Sequence, residues 1–239
     1  MGRDGPQPSG IPRSRQGHHR RQSILDAAET LIRENRSTDF TMLALARRSG
    51  VSPATPYNLF GTKASILYAL LTRSLDSIFT DFGTLTAKMD PFKVVQFAGQ
   101  AAVAFFVADP SYYRPLYLYL IGVPDEVYRP PYMNRALNYW RDALQPLCDT
   151  GYIKSDHMRD TLARSLIIHF IGSLDMWAQC ELDHDEFMIH IRYGVASLLC
   201  VLASDAARAP VLDEALASLS ESPRPIEFRA SLKSDRSSD

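Results

Sequence analysis

The sequence predicts an all-α protein, and three observations support this. Apolar residues recur with the i, i+3 and i+4 spacing of helices through most of the chain, with charged residues between them. No run of alternating β-branched residues bounded by turn residues interrupts that pattern. The composition of the 239 residues, 46% hydrophobic and 22% charged, is that of a globular protein with one or two domains.

The first three predicted helices form a recognisable motif. The segment 24–32 carries a helical apolar stripe, and Thr41 is a suitable N-cap for a second helix that Gly50 ends with a left-handed stop. Ser52 can cap the third helix, with Pro53 at its first position, where a missing N–H costs nothing. Two short helices joined by a short turn that contains glycine constitute a helix-turn-helix.

The charges are distributed unevenly along the chain. Residues 1–73 contain 11 Lys and Arg against 5 Asp and Glu, whereas residues 74–239 contain 15 against 22. A basic first third on an acidic body is typical of a protein that binds a polyanion at one end. Charge alone leaves a second interpretation open, in which the N-terminal arm is merely solvated.

Residues in the segment 21–70 occur in an order and spacing that span three helices and both turns. They are Ile24, Leu25, Asp26, Ala27, Ala28, Phe40, Thr41, Ala46, Gly50, Val51, Ser52, Thr55, Tyr57, Phe60, Lys63 and Leu67. In these positions the chain resembles the TetR family of bacterial transcriptional regulators. The resemblance implies a three-helix DNA-binding domain, followed by a helical domain that binds a small molecule and dimerises.

Two positions depart from the commonest family pattern. Ala54 stands where glycine is frequent, and Pro56 where an aliphatic residue is frequent. Pro56 would be the fourth residue of the recognition helix, and its missing N–H is the first that would bond within the helix, to the Ser52 carbonyl. We expect a slightly distorted start to this helix, not a broken one.

A recognition helix presents its N-terminal residues to base edges in the major groove. Asn58 is the best direct reader, because an amide can pair bidentately with adenine, while Pro53 and Ala54 offer apolar contact. Hydroxyl and ammonium groups are suited to phosphates, which position the helix without reading sequence. The predicted DNA-contacting residues are Arg21, Thr41, Ser52, Pro53, Ala54, Thr55, Tyr57, Asn58 and Lys63.

Several of these residues have an alternative structural role. Tyr57 and its neighbour Phe60 can belong to the core of a three-helix domain. Thr41 and Ser52 can be helix caps only, although one residue can serve both purposes. Lys63 can be a solvated charge.

The segment 92–140 is rich in aromatic residues, and five prolines divide it into short helices. Core filling is the ordinary role of a single aromatic, but a cluster with few polar groups is typical of a small-molecule site. The resemblance implies an inducer in this region, and the lack of an arginine or lysine cluster favours a mostly apolar ligand. The candidate ligand-binding residues are Phe105, Tyr113, Tyr117, Trp140, His169 and Trp177.

A helix over 63–86 is predicted to link the DNA-binding domain to the rest of the chain. Two long helices are predicted further on, over 157–180 and 185–204. Both are apolar nearly all round, and Gly194, Ala196 and Ser197 would allow another helix to approach closely. One domain's core could absorb these surfaces, but a four-helix homodimer interface explains them better and agrees with the resemblance. Two-fold symmetry would then place the recognition helices about 34 Å apart on a pseudo-palindromic operator.

Other function classes find little support in the sequence. No nucleophile elbow, phosphate-binding loop, dinucleotide fingerprint or zinc-protease motif occurs, so neither an enzyme nor a cofactor is predicted. The cluster Asp183, His184, Asp185 and Glu186 is better interpreted as a helix N-terminus than as a metal site. No apolar run approaches the roughly 20 residues of a membrane span, which favours a cytoplasmic protein without membrane contact.

The sequence thus predicts four segments. Residues 1–18 form a flexible basic arm, 19–66 the helix-turn-helix domain, 67–206 the ligand-binding and dimerisation domain, and 207–239 a partly disordered tail with one short helix over 211–219. The predicted function is a DNA-binding regulator, a repressor released by its ligand. The alternatives are a helical carrier or enzyme for hydrophobic molecules with a degenerate DNA-reading head, and an architectural protein that binds DNA without sequence preference.

Overall fold

The computed structural model describes residues 13–79 and 85–202, together with positions 211, 213, 216, 217 and 220. Every regular element within these residues is a helix, which confirms the predicted all-α class. The helices are α1 (Arg13–Asn35), α2 (Met42–Arg48), α3 (Ala54–Phe60), α4 (Lys63–Phe79), α5 (Pro91–Val107), α6 (Pro110–Leu120), α7 (Arg129–Asp149), α8 (Asp156–Ala178) and α9 (His184–Leu199).

Some helix boundaries differ from those predicted. Helix α1 already begins at Arg13, so residues 13–18, predicted as part of a flexible arm, are helical. The linking helix predicted over 63–86 corresponds to α4, which is described as far as Phe79. The rest of the arm, residues 1–12, and most of the tail lie outside the described residues, although each described position from 211 to 220 is helical.

Helices α1 to α4 form the head around a shared apolar core. Ile24 and Ile32 of α1 and Leu45 of α2 are fully buried. Phe60, at the end of α3, is only 4% exposed, which confirms its alternative role as a core residue. Because α4 contributes buried side chains to this core and also packs on α5, α6 and α7, it belongs to head and body at once.

The body is built from α5 to α9, with α5 packed against α7 and α9, and α8 packed against α6, α7 and α9. Gly99 marks the closest approach of α5 to α9. A Cβ atom at that position would lie 2.9 Å from the Cγ2 atom of Ile191 and 3.2 Å from that of Val195. The absence of a side chain therefore sets the distance between these two helices.

Two of the three small residues of α9, Gly194 and Ala196, are buried inside this chain. A Cβ atom on Gly194 would overlap the ring of His169 on α8, which occupies that space. Nε2 of His169 lies 2.9 Å from the carbonyl oxygen of His190, one turn before Gly194. The helix that approaches α9 closely at Gly194 is therefore α8 of the same chain, the alternative in which one domain's core absorbs this surface, and the homodimer interface stays a prediction.

Two predicted helix starts have the expected caps. The Thr41 hydroxyl accepts the backbone N–H of Ala44 at 3.1 Å at the start of α2. Asp183 and Glu186 form a reciprocal capping box at the start of α9, in which each side chain accepts a backbone N–H of the other residue. This confirms the interpretation of the acidic cluster as a helix N-terminus.

None of the described helices is by itself long and apolar enough to cross a membrane. Helices α5 and α6 reach that length and composition only as a pair, and they are bent by 99° at the break between them.

We predict that Gly194→Ala destabilises the protein by about 1–3 kcal/mol, because the new methyl group displaces the His169 ring and its contact with the His190 carbonyl. Urea unfolding at one fixed protein concentration measures the effect. Gly17→Ala on α1 is the matched control, since its Cβ atom would meet nothing within 4 Å. In a helix that change should stabilise by up to about 1 kcal/mol. Equal midpoints for the two variants would contradict the packing described here.

Candidate DNA-binding face and ligand cavities

The turn between α2 and α3 is closed by backbone geometry. Gly50 has φ +68°, the left-handed conformation predicted for it, and Val51 donates its N–H to the carbonyl of Ala46 at 3.1 Å. Val51 is half-buried against the head core. This arrangement fixes the direction in which α3 leaves α2, as a helix-turn-helix requires.

Helix α3 has one outward face and one core face. Ala54, Tyr57 and Asn58 are exposed on the outward face, and Tyr57 retains 56% of its surface. Pro56 and Phe60 are buried on the other face. The structure therefore does not place Tyr57 in the core. Thr41, Ser52 and Pro53 are exposed beside this face, and Thr55 is half-buried.

The start of α3 differs in detail from the prediction. Ser52 does not cap the helix through its side chain, because its hydroxyl lies 2.7 Å from that of Thr55. The Ser52 carbonyl accepts the N–H of Thr55 at 2.9 Å, one residue earlier than in a regular α-helix. Since Thr55 satisfies this carbonyl, the missing N–H of Pro56 leaves no acceptor without a partner there. Proline is accommodated by a tighter first turn.

Arg21, predicted to reach DNA, instead joins the head to the body. Its guanidinium donates to the carbonyl of Leu59 at 3.0 Å and to the hydroxyl of Tyr128 at 2.7 Å. The same group lies 4.2 Å from the ring centre of Phe60. The Tyr128 ring stacks on Phe60 with centres 6.3 Å apart. An arginine held on two sides by aromatic rings and by two acceptors is an internal contact of the fold.

Lys63 is also directed toward the body. Its Nζ lies 4.7 Å from the ring centre of Phe40 in the head and 4.9 Å from that of Tyr119 on α6. Burial lowers the pKa of the Lys63 ammonium, and the Asp39 carboxylate opposes that shift. The predicted phosphate-binding role is thus not supported by the position of this side chain, and the alternative of a solvated charge is not supported either.

Three further hydrogen bonds lie at this contact between head and body. We call the contact the joint, and its residues are Arg21, Leu59, Phe60, Lys63, Ser65, Tyr68, Tyr119, Val123, Asp125 and Tyr128. Ser65 on α4 donates its hydroxyl to Oδ2 of Asp125 at 2.7 Å. The other oxygen of Asp125 accepts the backbone N–H of Tyr128 at 2.6 Å and so shapes the entry to α7. The Tyr68 hydroxyl lies 3.4 Å from the carbonyl oxygen of Val123.

The body contains an apolar cavity between α4, α5, α7 and α8. Its volume is about 40 Å³. The residues that line it are Leu75, Ala102, Phe106, Tyr132, Met133, Ala136, Tyr139, Trp140, Ile167, Phe170, Ile171 and Leu174. Almost all are apolar or aromatic, and the Tyr139 hydroxyl is already bonded to the Ala98 carbonyl at 2.7 Å.

A second, more polar cavity adjoins the first. Its volume is about 320 Å³, within the size range of small-molecule sites, and Tyr132, Met133 and Ile171 line both cavities. Its other lining residues are Tyr68, Leu71, Tyr117, Leu120, Ile121, Gly122, Arg129, Gly172 and Asp175. Since Tyr68 and Leu71 belong to α4, the helix that completes the head also forms a wall of this cavity.

Two of the six predicted ligand residues line these cavities, Trp140 in the apolar one and Tyr117 in the polar one. The other four line neither. Phe105 and Tyr113 pack on each other with ring centres 4.8 Å apart. His169 fills the gap at Gly194, as described above. Trp177 is fully buried between Phe187 and the Arg114 guanidinium. The abundance of aromatic residues in the sequence could not show which of them line a cavity and which pack in the core.

The fold and the outward face of α3 define a helix-turn-helix head joined to a helical body. Residues 24–70 match the family model described as bacterial regulatory proteins, tetR family. Over this segment the chain is similar to that family. Among curated proteins no sequence matches this chain significantly.

The whole fold resembles solved TetR structures. A TetR transcriptional regulator from Rhodococcus sp. RHA1 superposes with a TM-score of 0.62 at 19% identity, over 80% of this chain and 100% of that one. Thermus thermophilus FadR, a TetR-family repressor in complex with lauroyl-CoA, gives a TM-score of 0.65 at 19% identity, over 77% of this chain and 95% of that one. RolR in complex with resorcinol gives a TM-score of 0.64 at 15% identity, over 91% of this chain and 100% of that one. The body of the chain therefore has the TetR fold.

We predict that Arg21→Ala lowers the free energy of unfolding by about 1–3 kcal/mol, because the Leu59 carbonyl and the Tyr128 hydroxyl lose a charged donor and Phe60 loses its cation. The neighbouring variant Arg20→Ala removes an exposed side chain from the same helix and should change the free energy of unfolding by less than about 0.5 kcal/mol. Urea unfolding of both variants checks this. If both residues were free to serve DNA only, neither substitution would alter the stability.

Proposed function

We propose that this chain is a homodimeric, sequence-specific DNA-binding regulator, a repressor that a small, mostly apolar ligand releases from a palindromic operator. The observation that carries the proposal is the position of α4. Its N-terminal part completes the head that presents α3, and its next turns, at Tyr68, Leu71 and Leu75, line the two body cavities. A ligand in those cavities therefore touches the helix that supports the recognition element.

The outward face of α3 supports DNA binding. Tyr57 and Asn58 project from it without an internal role, and Thr41 is exposed nearby at the start of α2. A tyrosine hydroxyl suits a phosphate, and a carboxamide suits an adenine edge. Because the tight first turn of α3 accommodates Pro56, this residue does not favour the alternative of a degenerate DNA-reading head.

The proposed ligand response is a shift between two arrangements of the joint. A ligand moves such an equilibrium only by binding one arrangement more tightly than the other. FadR with lauroyl-CoA and RolR with resorcinol, two proteins of this fold, hold small molecules, which supports a ligand for this body. The repressor assignment draws support from FadR, itself a repressor.

The outer surfaces of α8 and α9 support the homodimer. Ile168 is 66% exposed on α8, Gly172 is exposed one turn further, and Tyr193 is exposed on α9. Val201, just after α9, is 73% exposed. Apolar side chains on two adjacent helices form a face that a second copy can cover with two-fold symmetry.

The DNA-binding part of the proposal is tested by titrating the protein with the DNA upstream of its own gene and with a scrambled duplex. We expect a preference of about a thousandfold for the operator. Tyr57→Ala should weaken binding to both duplexes, while Asn58→Ala should cost about 1–3 kcal/mol on the operator and reduce the preference. Both residues are exposed, so the unfolding midpoint should not change. Wild-type affinity of a folded Tyr57→Ala variant would contradict the role of the hydroxyl.

The dimer is tested separately by sedimentation of Ile168→Asp. A carboxylate in the middle of a buried apolar interface lacks a partner, so this variant should be monomeric at concentrations where the wild type is dimeric. It should also lose operator affinity, because one head contacts only one half-site. Val127→Asp, at a residue 70% exposed in the loop before α7, is the control and should remain dimeric. A dimeric Ile168→Asp variant would place the interface elsewhere.

A further inference from the structure

The two cavities adjoin and differ in chemistry, and Tyr132, Met133 and Ile171 line both. The smaller cavity is apolar, with Phe106, Trp140 and Phe170 in its wall, and we call it the apolar end. The larger cavity contains Asp175, Arg129 and tyrosine side chains, and we call it the polar end. A ligand in the larger cavity meets these polar groups, and at the three shared residues it meets the wall of the apolar cavity.

Asp175 is the unusual residue of the polar end. It lies on α8 directly after Leu174, which lines the apolar cavity. Its Oδ1 atom is buried, and within the described part of the chain no group donates a hydrogen bond to it. A buried carboxylate oxygen without a donor is costly, and a native protein satisfies such an atom with water or with a ligand. One oxygen of Asp175 therefore lacks a donor, and because the residue lines the cavity, rotation of its carboxyl group can present that oxygen to a donor there.

The groups around Asp175 define what kind of donor fits. Burial raises the pKa of Tyr117 to about 12, and the nearby Asp175 carboxylate adds to this shift while Arg129 opposes it. The Tyr117 hydroxyl is consequently protonated at neutral pH. Arg129 is exposed at the edge of the cavity and brings one positive charge to balance the single carboxylate. A site with one charge of each sign favours a neutral polar group over an ion.

We infer that the ligand is a neutral, hydroxylated apolar molecule whose O–H donates to the Asp175 carboxylate while its apolar part extends past Tyr132 and Met133 toward Trp140. The inference rests on the proposed ligand-responsive function and adds the chemistry of the polar end to it. A hydroxyl is both donor and acceptor, so its oxygen can accept from the Arg129 or tyrosine side chains at the same end. Phenols and long-chain alcohols are the classes that combine these properties.

The test uses pairs of probes that differ only in the O–H group. A series of 4-alkylphenols with increasing chain length is titrated against the matching methyl ethers, and binding is followed through the fluorescence of Trp140 in the cavity wall. At the best chain length the phenol should bind about tenfold or more tightly than its ether, as expected for a hydrogen bond to a charged acceptor. A benzylamine with the same alkyl chain tests a cationic ligand.

Variants identify the acceptor. Asp175→Ala should reduce the ratio of phenol to ether affinity to about one without weakening the ether, whereas Asp175→Asn, which keeps an oxygen acceptor and nearly the same shape, should retain part of it. Asp142→Asn removes an exposed carboxylate from α7 and should leave the ratio unchanged. Because Asp175→Asn conserves shape, the test does not depend on the alanine variant folding.

The outcomes separate this inference from the proposed function. Equal binding of phenol and ether by the wild type, or an unchanged ratio in Asp175→Ala, overturns the hydroxyl assignment but leaves an apolar ligand in place. Tighter binding of the amine than of the phenol also overturns it, in favour of a cation. If no probe of either series binds, the inference and the ligand part of the proposed function both fail. Operator binding, measured on the same preparations, decides the DNA-binding part independently.

Discussion

The rest of the structure depends on α4, because this single helix packs in both the head and the body, whose buried residues form one apolar cluster. Ile66, Leu67 and Leu70 of α4 are fully buried, while Leu75 lies in the wall of the apolar cavity. A packed helix resists movement of one end without repacking of the other, since protein interiors are dense. The head is thus joined to the body by a shared packed helix, which is the element through which the proposed ligand response would act.

The joint adds polar contacts to this shared helix. Asp125 bonds to Ser65 on α4 with one oxygen and holds the N–H of Tyr128 with the other. Tyr128 in turn accepts from Arg21 of α1. The loop before α7 therefore contacts two head helices at once, and α7 lines both cavities through Tyr132 and Met133. A second contact lies on the far side of the head, where Arg33 pairs with Asp109, the N-cap of α6.

Local signals in the sequence were sufficient to predict the helices and their caps, but not to predict where long side chains would lie. Thr41, Gly50 and Asp183 act on backbone atoms within a few residues, so their roles follow from sequence order.

Arg21 and Lys63 have long side chains that can reach either DNA or an aromatic ring of the body, and only the packing of distant segments decides which. The bulky residues of 92–140 divide between core and cavity wall for the same reason, and Gly194 faces His169 of its own chain, not a partner. The signal for Asp175 was present in the sequence, as a carboxylate inside the apolar segment 166–178.

In the proposed mechanism, the location of Asp175 connects the chemistry of the ligand with the motion of the head. The polar cavity is lined by Tyr68, whose hydroxyl lies beside the Val123 carbonyl in the joint, and by Arg129, which follows Tyr128 directly. A ligand held at Asp175 by its hydroxyl would share a cavity with these two residues, which a molecule confined to the apolar cavity would not. Only contacts that differ between two arrangements of the joint can shift their populations. Under this proposal, a bound molecule acts on the head from the polar cavity, and its contacts with the apolar wall add affinity.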